Sequence, residues 1–227
     1  MSAEKSAALK ALSLQRKSDS RDPHCRLGDF YGGAYDHHEF VSPWTISAGN
    51  LDADLMIVLQ DWSSKDTLES RGFDPEVAAL GHTPSLPTNV RLKSLVKQHF
   101  GLAIEETFVT NMFVFIKRGP IHARIPVADA RYSAQTYTLS EIRIVKPRTV
   151  ICAGATTYNA IRSALGLAPN EPVAHRNLNP PRVDRSEIFW VPHPGGLGTA
   201  ASGGAARVGD IWRSVASRHA SAAPLSE

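Results

Sequence analysis

Four short apolar runs, each followed by a helical or turn-rich stretch, constrain this chain more than any other feature. The runs are 54–60 (DLMIVLQ), 107–111 (TFVTN), 149–153 (TVICA) and 187–191 (EIFWV). Each is too short for a helix and rich in branched residues, which marks strands buried on both faces. Between and after them lie segments with helical spacing at 90–100, 130–146, 156–165 and 207–218, the second ending before Pro147. Strands alternating with helices specify an α/β fold, a three-layer α/β/α sandwich around a central, mainly parallel four-stranded sheet with right-handed crossovers.

The flanks are simpler. Residues 1–20, rich in Ala, Lys and Ser, read as a short amphipathic helix or a loose arm, and 21–50 are loop-like. The expected organisation is an N-terminal extension over 1–40, one domain over 41–220 and a tail over 221–227. No apolar run reaches the ~20 residues of a membrane span, and the N-terminus has no apolar signal segment. Two cysteines, Cys25 and Cys152, suit a reduced cytoplasmic protein and cannot frame a metal centre alone. A net charge of +3 permits a nucleic-acid partner without requiring one.

In a parallel sheet, ligands bind beyond the carboxyl ends of the strands. Those ends carry Gln60-Asp61-Trp62-Ser63, Asn111, Gly154-Ala155 and His193-Pro194-Gly195-Gly196-Leu197. Singly, Asp61 reads as a helix cap, Asn111 as a loop hydrogen bonder and His193 as an ordinary loop histidine. Together on one rim they mark a shared site. The G-x-G-x-x-A match at 196–201 follows the last strand, with no βαβ unit after it, so it does not specify a dinucleotide site. The His37-His38-Glu39 cluster matches no zinc spacing.

The order Gln60-Asp61, Thr110-Asn111, then His193-Pro194-Gly195-Gly196-Leu197 resembles the three signature motifs of the uracil-DNA glycosylase superfamily. The stretch 109–154, with its Thr-Asn strand, Lys/Arg/Pro loop and KP-x-x-V-I-x-x-G strand, is similar to the iron–sulfur branch, and the likeness spans about residues 45–218. It implies a monofunctional glycosylase of base-excision repair that flips uracil from double-stranded DNA and hydrolyses its N-glycosidic bond, acting as a monomer without cofactor or metal. Asp61 and His193 would be catalytic, and Gln60, Trp62, Ser63 and Asn111 would bind the base. Leu197 would wedge into the stack on the loop of Pro194, Gly195, Gly196 and Gly198, while Lys117, Arg118 and Arg207 would touch phosphates. There are departures. Two cysteines cannot hold the four-cysteine cluster, and Ser63 stands where the classical members carry the tyrosine that excludes thymine. The phenylalanine that stacks on uracil has no counterpart near Ser85 or Leu86, leaving Phe73 or Trp62 as substitutes. These differences imply a roomier pocket and tolerance for other damaged bases. They also leave open a DNA-binding relative with lost or altered chemistry, and a nucleotide-binding α/β protein is a third reading.

Overall fold

The structure, a computed structural model, describes residues 2–221. In chain order the main elements are α1 (Ser2–Ser18), β1 (Leu55–Asp61), α2 (Lys65–Arg71), α3 (Pro75–Leu80), α4 (Pro87–Phe100), β2 (Phe108–Phe113), α5 (Val127–Ser133), α6 (Leu139–Val145), β3 (Thr149–Ala153), α7 (Ala155–Ala164), β4 (Arg182–Val183), β5 (Ser186–Val191), α8 (Gly196–Ala201) and α9 (Ala205–Ser221). A π turn over Ala134–Thr138 joins α5 to α6, so the single helix expected from the sequence is continuous but locally widened and underwound. It stops where Lys146 turns left-handed (φ 56°) ahead of Pro147, a residue that disfavours helix before it.

The sheet order is β2-β1-β3-β5-β4, with the first four strands parallel and β4 antiparallel to β5. The sheet therefore has five strands rather than four. The extra one is two residues long, paired through Arg182↔Glu187 and Val183↔Ser186, and a hairpin that short carries no periodicity a sequence could display.

Strand alternation sorts the core into two layers. Met56, Val58, Val150, Cys152 and Ile188 face α1, α5, α6 and α7 together with Tyr137, Ile142 and Ile161. Leu55, Ile57, Leu59, Ile151 and Phe189 face α4 and α9, meeting Leu92, Val96, Val208 and Trp212. The N-terminal segment is a helix that belongs to the first layer, with Leu9 and Leu12 in the core. Of the expected tail, residues 222–227 lie outside the described residues. No helix among the described residues is long and apolar enough to cross a membrane.

Candidate active site at the strand ends

Asp61 closes β1, opposite Phe113 of β2, and its side chain is 7% exposed. Gln60 Nε2 donates to Asp61 Oδ1 at 2.9 Å. The other oxygen, Oδ2, lies 2.8 Å from Lys117 Nζ, off the direction of a hydrogen bond, so the contact is an ion pair. Lys117 is held from both sides: its carbonyl accepts from Lys65 N at 2.9 Å, and its ammonium donates to the Ile121 carbonyl.

This corrects the expectation that Lys117 touches phosphates. Its side chain is 2% exposed because the chain after β2 stays extended, bridging to Cys25 and Ser64, and draws the lysine inward beside Asp61. Arg118, the next residue, is exposed, as is Arg207.

His193 follows β5. Its Nδ1 accepts from the Gly195 backbone N–H at 3.0 Å, which leaves the ring proton on Nε2. Burial lowers its pKa, and the nearby Asp61 charge pulls it partly back. The imidazole is therefore a neutral donor with its acceptor already used. The turn that follows packs against the His193 backbone: a Cβ at Gly198 would lie 2.4 Å from the His193 carbonyl oxygen and 2.8 Å from its Cβ, so only glycine fits. That glycine sits in α8, a short helix where the sequence reads as loop. Leu197, at its tip, is 89% exposed. Pro194, by contrast, is buried, and Arg91 of α4 anchors the segment by donating to Thr199 Oγ1 at 2.8 Å and to the Pro194 carbonyl at 3.4 Å.

Asn111 pairs with Leu59 across β1 and β2, so it lies two residues back from Asp61 on the same face of the sheet. It is 2% exposed. Ser42 Oγ donates to its Oδ1 at 2.7 Å, and its Nδ2 is buried without a partner. An unsatisfied buried amide is costly, on the order of 1–3 kcal/mol, unless water or a ligand completes it.

The remaining candidates are placed differently. Trp62 donates its indole N–H to the Gly81 carbonyl at 2.8 Å and packs on Tyr35 (5.1 Å between centroids), which in turn meets Phe73. The indole is thus tied into an aromatic group with Tyr31, Tyr35 and Phe73, of which Phe73 is 50% exposed. Ser63 is buried. Asp61, Gln60, Lys117 and His193 therefore form one cluster, with Asn111 beside it, while Leu197, Arg118 and Arg207 are surface groups. Ser42 and Arg91 escape a reading of the sequence. Only their tertiary partners distinguish them from any other loop serine or helix arginine. Neither models of known protein families nor curated protein sequences match this chain.

Proposed function

We propose that the chain is a DNA glycosylase that excises uracil flipped out of DNA. The observation that carries this reading is a neutral imidazole held as an Nε2–H donor beside a buried carboxylate, with an unpaired carboxamide on the same rim. A base stacked in a duplex cannot be reached, so it must be extruded at a cost of a few kcal/mol. Leu197, exposed on its glycine-rich turn, is suited to fill the gap left behind.

In the pocket, Asn111 Nδ2 would donate to uracil O4, and the lone pair left on Oδ1 by Ser42 would accept from N3–H. Cytosine presents an amino donor in place of O4, so two donors would face each other, a mismatch of about 1–3 kcal/mol. Cleavage of the C1′–N1 bond leaves its electron pair on the base and positive charge on the sugar. His193 Nε2–H would stabilise the charge growing on base O2. Asp61 would face the sugar cation and take a proton from the water that adds to C1′. Burial keeps His193 neutral, so it stabilises the departing anion through a hydrogen bond rather than a charge.

A second reading, a DNA-binding protein with altered chemistry, draws on the Lys117–Asp61 pair, which offsets part of the charge meant for the sugar. One assay separates the two. A labelled duplex with a single uracil is incubated with the protein and cut by alkali. Strand breaks that fall sharply in Asp61→Asn, Asn111→Ala and His193→Ala support the glycosylase. Intact strands from well-folded protein, on uracil and on other deaminated bases, favour the binding protein.

A further inference from the structure

A cavity of about 460 Å³ opens at the end of β1, between the 117–126 loop and α7, and lies on the other side of Asp61 from Asn111. Gln60 forms part of its wall, and in a strand the side chain of residue 60 leaves the face opposite to those of 59 and 61. Gln60 also donates to Asp61. Whatever fills this cavity is therefore one side chain away from the reacting centre.

Four features of the lining specify the occupant. The Arg124 cation and His122 stand at it, both exposed, and Arg124 has no ion pair among the described residues. No aspartate or glutamate among the described residues lines it, in a chain with 22 of them. Asn159 of α7 donates through Nδ2 to Asn170 at 3.4 Å, while its Oδ1 is buried without a partner. Ile125 and Ala160 supply apolar wall. Cationic rim, apolar wall and an unanswered amide oxygen suit an anionic ligand with a flat apolar body and an N–H donor. The volume falls within the roughly 300–1,000 Å³ of small-ligand sites.

We infer that this cavity is a second nucleotide subsite, which seats the nucleotide adjoining the flipped one. This rests on the glycosylase reading. A strand whose target base turns toward Asn111 passes over Asp61, and the chain of Gln60, Arg124 and Asn159 receives its neighbour on the far side. Arg124 and His122 meet the phosphate, and Asn159 Oδ1 accepts from the base. Thymine N3–H and guanine N1–H are such donors.

The test uses the full chain and labelled single strands of thymidines around one central uracil. Companion strands replace the base of the 5′ or the 3′ neighbour with a base-free tetrahydrofuran. Native protein is expected to lose about fivefold to tenfold in kcat/KM when one neighbour loses its base and little when the other does. Asn159→Leu, which keeps a similar volume and removes the acceptor oxygen, is expected to bring that loss with the base present, and removing the base then adds nothing. Arg124→Glu, at an exposed position that meets the phosphate, is expected to weaken strands with and without the neighbouring base alike. Additive losses at Asn159, or a native protein indifferent to both neighbours, overturn the subsite. Failure to excise uracil from these strands and from the duplex alike sinks the glycosylase reading instead. The same comparison run as fluorescence anisotropy of the labelled strands then decides the subsite by the same non-additivity. Thermal midpoints of both variants within the native range exclude misfolding as the cause.

Discussion

Two buried ion pairs in this molecule match in burial and differ in surroundings. Arg16–Asp36 and Lys117–Asp61 each join a cation with a 2% exposed side chain to a carboxylate at 7%, over 2.5 Å and 2.8 Å. Arg16 lies among backbone carbonyls: its Nη2 approaches those of His37 and Phe40, and Ser13 and Lys17 bind the same segment. That pair fastens α1 to the chain leading into Ser42, and so stands behind the hydrogen bond that orients Asn111. Lys117–Asp61 sits instead at the open end of the sheet, with a neutral histidine near it and Gln60 tied to it. Burial and length say nothing about the role of a pair; what the charges face does.

The largest effect that bears on this contrast is expected at Arg16. Arg16→Met leaves Asp36 only the longer Lys17 contact at 3.7 Å and should cost about 3 kcal/mol, read from urea unfolding. Lys117→Met should cost less stability, because Asp61 lies at a rim where water can return, and should instead alter excision. Equal stability losses with unchanged excision would erase the distinction between the pairs.

His193→Gln comes next. Excision should fall about 10²–10³-fold with little change in unfolding midpoint. In the native protein the acid limb of the rate profile should lie below the ordinary histidine value of ~6.5, since burial lowers the pKa and only the neutral ring can accept from Gly195 N–H. An acid limb above that value would count against the neutral donor.

A third test concerns Glu141, fully buried near Arg16 and accepting from Thr110 Oγ1. Burial pushes its carboxyl up from 4.5 to about 8. The folded state therefore holds a proton that the unfolded chain releases above about 4.5. The stabilisation is complete below that pH and is lost as pH rises through about 8. Glu141→Gln should flatten this dependence in urea titrations at pH 5 and 8; an unchanged slope would place its origin elsewhere.

The smallest effect belongs to Leu197→Ala. An 89% exposed side chain contributes to stability within about 0.5 kcal/mol, so only excision from duplex should weaken, by a few-fold at fixed salt. Loss of stability there would mean that the tip is packed in solution.

Much of this architecture was readable from residue order. The four parallel strands lie within a residue or two of the apolar runs, because strands buried on both faces have no choice but to be apolar. The positions of Asp61, Asn111 and His193 followed from the rule that parallel strands end at their ligands. What stayed hidden depends on pairing at a distance. Lys117 reads as a surface cation until Asp61 is beside it. β4 exists only because Val183 meets Ser186. The helix of 196–201 carries two glycines in its first three residues, which weaken a helical signal, with Arg91 fastening it from α4. Ser42 acquires a role only through a residue 69 positions away.

The contact between Gly198 and His193 has a mechanical consequence. With no Cβ on the glycine, its backbone comes within van der Waals reach of the His193 carbonyl and Cβ, while Gly195 N–H holds the imidazole itself. The exposed leucine and the ring donor are thus ends of one run of five residues, tied down beneath by these two contacts. Under the proposed function, a displacement of Leu197 by a closing base stack would be felt at the imidazole.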